Sequence, residues 1–293
     1  MKPYVYPVAR IATQAVFPGG FAVLMPVYLR DDPCLFELAV DSVFSNTLPP
    51  TQFVLVVDGP LSFGLEQKLL ALIRRHGALI EVLRLPRNVG AAHARNAGLA
   101  HTGLPWVVNA DADDFNLPHR FAALAALLVK QPELVLFGSA VLEVDNSGCP
   151  TAIRAVPTSE TEIRNFVKFR NPFNGMSVAY RRELALACGG FPDVHLREDY
   201  ALWCRMLSHD IRVANTAEVL VRASAGLAMY RRRGGWRYAK AEWELQNLMV
   251  ICGLKTKGRA WRDGFIRAAG FLAPAALRGK LYEMFLRKAA VKF

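Results

Sequence analysis

The sequence lacks any apolar stretch long enough to cross a bilayer. A run such as Phe121–Val129, closed off by Arg120 and Lys130, falls far short of the roughly 20 residues a spanning helix needs. The N-terminus has no basic stretch, apolar core and small-residue cleavage site of a secretory signal, so a cytoplasmic protein is expected. Cysteine is sparse: Cys34, Cys149, Cys188, Cys204 and Cys252 are odd in number and form no CxxC pair, which argues against a disulfide framework and a structural zinc. His93, His101 and His195 offer no HxxxH pair, so packed or solvated histidine is favoured over metal binding. Internal repeats and low-complexity tracts are missing too.

Negative charge is in short supply. Lys and Arg number 36 against 25 Asp and Glu, a formal net charge of +11, which points to an anionic partner. Much of the excess lies from Arg231 onward. No recognition motif of the DNA- or RNA-binding modules accompanies it, so nucleic acid is not the expected partner.

What is present is a chain of 293 residues, 53% hydrophobic, enough for one large α/β domain and an appendage. Short apolar runs at Phe21–Val27, Phe53–Val57, Leu79–Leu85, Trp106–Ala110 and Leu134–Leu142 read as strands. Between them Pro33–Ser45, Ser62–His76, Gly90–Ala100 and Pro118–Lys130 read as helices. Strict alternation predicts right-handed βαβ crossovers and a mainly parallel sheet. Ligands of such sheets bind beyond the carboxyl ends of the strands. Three strands here run out into polar residues: Tyr28, Arg30 and Asp31; Asp58; and Asp111, Asp113 and Asp114. After about residue 145 the alternation weakens, and a further helix is expected from Asp199 to Ser208.

The sharpest chemical signal is Asp111-Ala112-Asp113-Asp114. Carboxylates at i and i+2 leaving a strand can converge on one hard divalent cation, which clamps a diphosphate. The alternative is a polar turn, with Asp114 capping the following helix. In Arg87–Gly98, small residues suit close helix packing, and Arg95 either reaches a phosphate or is solvated. Glu198 and Asp199 stand at a helix start, where they serve either as caps favoured by the helix dipole or as an acid/base group. Arg231, Arg232 and Arg233 fit a solvated basic face as well as a diphosphate site.

The order Met25-Pro26-Val27-Tyr28, Val56-Val57-Asp58-Gly59, Arg87-Asn88-Val89-Gly90, Ala94-Arg95-Asn96-Ala97-Gly98, Asp111-Ala112-Asp113-Asp114, Cys188-Gly189-Gly190-Phe191 and Glu198–Arg205 resembles the inverting family-2 glycosyltransferases of GT-A fold, over about residues 20 to 225. Asn171–Ser177 and Met229–Gly235 look like a bacterial subgroup that builds exopolysaccharide, capsule or O-antigen, the amylovoran-type transferases among them. The resemblance implies a Rossmann-like α/β/α sandwich over residues 18–225, followed by a helical region over 226–293. It implies transfer from a nucleotide-diphosphate sugar, a UDP-sugar being favoured, to a lipid-linked or saccharide acceptor with help from Mg or Mn. By position, Pro26, Tyr28 and Asp58 would line the base pocket, Arg95 would hold the nucleotide, Asp111 and Asp113 would take ribose, diphosphate and metal, and Asp199 would be the general base. Glu198, Arg231 and Arg233 would serve diphosphate or acceptor. One departure is that Val57 stands where many relatives carry the first of two aspartates. A processive synthase is disfavoured, because spanning helices and a QxxRW motif are both missing. A degenerate, non-catalytic partner subunit and a nucleotidyltransferase are the rival readings.

From Gly258, Trp261, Phe265, Ile266, Phe271 and Leu272 interleave with Arg259, Arg262 and Arg267. After Pro274, Leu277, Leu281, Met284 and Phe285 share a helical face, with Arg278, Lys280, Arg287 and Lys288 among them. This pattern reads as a basic amphipathic segment lying on an anionic bilayer at the inner face of the cell membrane. The alternative is a helix packed against the catalytic domain with its basic face in water.

Overall fold

The computed structural model describes residues 16–145, 147–224 and 234–272. Its first half is the alternation expected: β1 (Phe21–Tyr28), α1 (Pro33–Phe44), β2 (Gln52–Asp58), α2 (Phe63–His76), β3 (Ile80–Leu85), α3 (Ala91–His101) and β4 (Trp106–Asn109). Each boundary lies within about two residues of the periodicity reading. Local chemistry explains the starts. The Asp32 side chain accepts from the Cys34 and Leu35 N–H groups with Pro33 in the first turn, and Ser62 caps α2 in the same way.

There follow β5 (Phe115–Asn116), α4 (Arg120–Lys130), β6 (Leu134–Val144), β7 (Pro150–Arg154), α5 (Glu160–Phe166), β8 (Ala179–Arg181), α6 (Arg182–Ala187), α7 (Glu198–Leu207), β9 (Arg212–Ser224), α8 (Trp236–Ile251) and α9 (Lys257–Leu272). The strand order is β3-β2-β1-β4-β8-β6-β9-β5, with β7 paired to β6. β1, β2, β3 and β4 are mutually parallel, as is β6 with β9. The alternation did not announce the antiparallel insertion of β8 between β4 and β6, nor the pairing of β5 with β9.

β1 lies between β2 and β4. The chain therefore runs one way from β1 to β3 and then restarts on the other side of β1, which opens a crevice at the carboxyl ends of β1 and β4. Tyr28 ends β1, and Asp111 follows β4 by two residues. Apolar clusters fill both faces of the sheet, one against α1, α2 and α4, the other against α3, α6, α7 and α8. α3 approaches closely because residue 98 is glycine: a Cβ there would overlap Leu24 of β1 and Val56 of β2.

α8 joins the second cluster through Ala241, Leu245 and Met249. Beneath it Glu242, fully buried, pairs with Arg197 at 2.7 Å. Gln246 donates to Glu242 at 2.7 Å and Lys255 donates to Gln246 at 2.8 Å. The C-terminal helices are thereby tied to the residue that precedes Glu198 and Asp199. Among the described residues, no helix is long and apolar enough to cross a membrane.

Candidate active site

β4 ends at Asn109, and the chain then bends through Asp111–Asp114. Asp113 is exposed, Asp111 is partly exposed and Asp114 is buried. The Asp114 carboxylate accepts from the Ser224 N–H at 3.0 Å, at the end of β9. It does not cap α4, whose N-cap is His119 with no side-chain bond. This corrects the capping alternative: the side chain turns inward to β9, and α4 begins six residues later. Burial, reinforced by the neighbouring Asp113 and Asp111, holds the Asp114 carboxyl well above the usual carboxylate range.

Arg95 projects from the second turn of α3 into the same crevice. Its guanidinium donates to Asp111 Oδ1 at 2.6 Å through Nη2 and to Glu198 Oε1 at 3.0 Å through Nη1. These partners are 16 and 103 residues away in sequence, yet one planar group spans both, which is the geometry arginine provides and lysine does not. Burial alone would lower the Arg95 pKa, but Asp111, Glu198 and Asp199 raise it above the ordinary guanidinium value. Asn96, the next residue, fixes the facing loop: it donates to the Phe191 carbonyl at 2.8 Å and accepts from the Phe191 N–H at 2.7 Å.

Glu198 and Asp199 open α7 and point to different partners. Glu198 faces Arg95. Asp199 accepts from Asn171 Nδ2 at 2.9 Å and from the Tyr200 N–H at 2.6 Å, and Gly175 makes room for it, since a Cβ there would overlap the carboxylate. Burial pushes both carboxyls above their ordinary range. For Glu198 the opposing influence is Arg95; for Asp199 it is the Tyr200 N–H and then Arg95. A carboxyl so raised is matched to proton uptake nearer neutrality.

Asp58, at the end of β2, is buried. Its carboxylate accepts from Asn88 Nδ2 at 2.9 Å, the Val89 N–H at 2.7 Å and the Gly90 N–H at 3.0 Å. It holds the loop that leads into α3, an anchoring task the sequence did not reveal. Pro26 and Tyr28 are half-buried at the end of β1. Arg231 and Arg233 lie outside the described residues.

Sequence reasoning also missed Arg120, Asn171 and Gly175. Arg120 is fully buried and donates to the Asn109 and Met176 carbonyls, each at 2.8 Å, and to Asn116 Oδ1. It clamps the end of β4, and burial pushes its pKa down to about 9. An arginine opening the otherwise apolar helix Phe121–Val129 was the available signal. Asn171 and Gly175 carried none beyond their place in a motif.

Among the described residues no three His, Cys, Asp or Glu side chains gather into a metal-holding group. Asp111 and Asp113 nonetheless present hard oxygen donors on one turn, one of them exposed. That suits a Mg- or Mn-type ion, which is commonly held by one or two carboxylates and completed by phosphate and water.

Residues 22–188 match the model of glycosyl transferase family 2. The chain is 35% identical over 269 residues to an uncharacterized glycosyltransferase of Haemophilus influenzae, covering 92% of this chain and 99% of that one. It is 34% identical to the amylovoran biosynthesis glycosyltransferase AmsE of Erwinia amylovora, over 90% of this chain and 98% of that one. It is 29% identical to the UDP-Gal:α-D-GlcNAc-diphosphoundecaprenol β-1,3-galactosyltransferase of Escherichia coli, over 92% and 97%. Two solved structures share the fold. One is TarS 1–349 of S. aureus with UDP-GlcNAc (TM-score 0.59, 18% identity, 92% of this chain and 74% of that one). The other is the mannosyltransferase PcManGT of Pyrobaculum calidifontis with GDP-Man and Mn2+ (TM-score 0.61, 18% identity, 95% and 84%). The architecture is the mixed, mostly parallel α/β sheet of the GT-A fold, with C-terminal helices added.

Proposed function

This chain belongs to glycosyl transferase family 2 and is a nucleotide-sugar glycosyltransferase, and from that premise we propose that it transfers the sugar with inversion, aided by a divalent cation, to a hydroxyl of a lipid-linked or saccharide acceptor during assembly of a bacterial surface polysaccharide. The observation that carries the reading is the Arg95 bridge. One guanidinium joins Asp111, on the donor side, to Glu198, whose neighbour Asp199 is the candidate base.

Asp199 takes the acceptor hydroxyl proton as the acceptor oxygen bonds to the anomeric carbon, while the bond from that carbon to the diphosphate breaks on the opposite face. Inversion by this route needs no second nucleophilic carboxylate. Asp111 and Asp113 would hold Mg or Mn, and a cation there would supply charge neutralisation for the departing diphosphate. Arg95 orients Asp111 and helps hold the nucleotide, and Pro26 and Tyr28 border the base together with the loop that Asp58 holds. UDP-sugars are the favoured donors; the Escherichia coli relative named above uses UDP-Gal and TarS is solved with UDP-GlcNAc. That relative acts on an undecaprenol-linked acceptor, which supports a lipid-carried acceptor here and work at the inner membrane face. We assign residues 18–225 to the catalytic unit and 226–293 to an accessory region, of which α8 and α9 are described, with Arg231 and Arg233 assigned to the diphosphate.

A panel of nucleotide sugars, followed by nucleotide release with and without Mg or Mn and with and without a diphosphoprenyl-sugar acceptor, tests this. Release that needs both cation and acceptor is expected for one donor. Binding of a nucleotide sugar with no release under any condition would place the chain among non-catalytic relatives.

A further inference from the structure

α9 is packed by its small residues and exposes its large ones. Ala260, Gly264 and Ala268 are buried, and Gly264 lies so close to Trp243 of α8 that a Cβ would sit 2.9 Å from the ring. On the outward side Trp261 is 69% exposed, Phe265 66% and Ile266 63%. Large apolar side chains left in water on a helix already anchored by its other face mark an interaction surface.

The charge around this face selects the partner. α9 carries Lys257, Arg259, Arg262 and Arg267 against a single acid, Asp263. Asp263 is shared between Lys255 at 3.0 Å and Arg262 at 2.9 Å, and with Lys257 and Arg262 exposed and Arg259 partly so, the cations outnumber the acid on the outer side. A second copy of a chain whose net charge is +11 would bring cation against cation. An anionic bilayer is complementary: aromatic and aliphatic side chains enter the headgroup boundary while arginine stems lie along it with their heads at the phosphates.

The same helix reaches the candidate acceptor side. Arg259 stacks 4.8 Å from the Phe169 ring, and Arg267 donates to the Phe169 carbonyl. Phe169 is itself partly exposed, and two residues on, Asn171 holds Asp199. We propose that the outer face of α9, centred on Trp261, Phe265 and Ile266 and flanked by Arg259 and Arg262, is a docking surface for an anionic lipid bilayer. It seats the enzyme so that a lipid-carried acceptor meets Asp199 from the Phe169 side. The orientation rests on the acceptor reading above; the docking itself does not.

The test uses the full chain and vesicles of phosphatidylcholine with or without phosphatidylglycerol. Wild type is expected to co-sediment with the anionic vesicles and to be released by salt. The triple variant W261S/F265S/I266S should bind roughly tenfold or more weakly, and R259Q/R262Q should lose the preference for anionic lipid. Donor turnover with a water-soluble acceptor should be unchanged in the triple variant, whose side chains are more than half exposed, and a melting curve that stays cooperative checks that it is folded after loss of the Trp261–Trp243 contact. Vesicle binding by the triple variant equal to wild type overturns the proposal, as does a wild-type dimer that the triple variant converts to monomer. Loss of nucleotide release in wild type with vesicle binding intact would count against the transferase reading alone.

Discussion

Replacing Arg95 by methionine tests the centre of the site, because methionine keeps much of the side-chain length and removes only the charge and its donors. The guanidinium is almost fully buried and makes two charge-assisted bonds, to Asp111 at 2.6 Å and Glu198 at 3.0 Å. Removing one partner of a buried pair leaves the other charge uncompensated, at a cost of about 3–5 kcal/mol. For a chain of this size each kcal/mol moves Tm by roughly 2–4 °C, so a fall on the order of 10 °C is expected near neutral pH. The pH dependence separates this cause from simple loss of packing. Burial already holds Glu198 and Asp199 above their ordinary values, and loss of the guanidinium raises them further. Between the unfolded carboxylate pKa of about 4 and the raised folded values, the folded variant binds more protons than the unfolded chain, so its stability grows as pH falls through that window. The deficit relative to wild type is therefore largest above the window and shrinks on acidification. Calorimetric melting of both proteins across the acidic to mildly alkaline range measures it. A deficit below about 1 kcal/mol near neutrality, or one that widens toward acid, would refute the claim that Arg95 neutralises these carboxylates.

Asp113→Ala should abolish cation-dependent donor binding and transfer with Tm unchanged, since the side chain is exposed; titration calorimetry with a donor nucleotide showing undiminished cation-dependent affinity would remove Asp113 from the metal site. Asp199→Asn should retain donor affinity and lose roughly two to four decades in turnover; if turnover survives, another group is the base. Asn171→Ala removes a hydrogen bond that stabilises ionised Asp199, so the acid limb of the pH–rate profile should move to higher pH, and an unmoved limb would separate Asn171 from the base. Glu242→Ala should cost about 3–5 kcal/mol by stranding buried Arg197, read as a lower denaturation midpoint; a neutral effect would show that the ion pair does not hold α8 in place.

The sequence by itself determined the parts whose signal is local. Short apolar runs bounded by turn residues located β1 to β4, and helical patterning located α1 to α3, within about two residues, because a strand covered on both faces is apolar throughout while a helix repeats its buried side at its own pitch. The rule that parallel sheets bind ligands at strand ends singled out Asp58, Asp111 and Asp113 with no coordinates. Only the tertiary structure decided what distant polar groups do. That Arg95 spans Asp111 and Glu198, that Asn171 holds Asp199 and that Asp58 is spent on the Asn88–Gly90 loop follow from which strand ends the sheet order brings together, information no window of neighbours contains. The insertion of β8 between β4 and β6 is of the same kind. α9 carries two stripes, one of Trp261, Phe265 and Ile266 and one of Ala260, Gly264 and Ala268. Hydropathy favours burying the first. The fold buried the second, because small residues let the α9 backbone come up against the Trp243 ring, and the large apolar side chains were left outside.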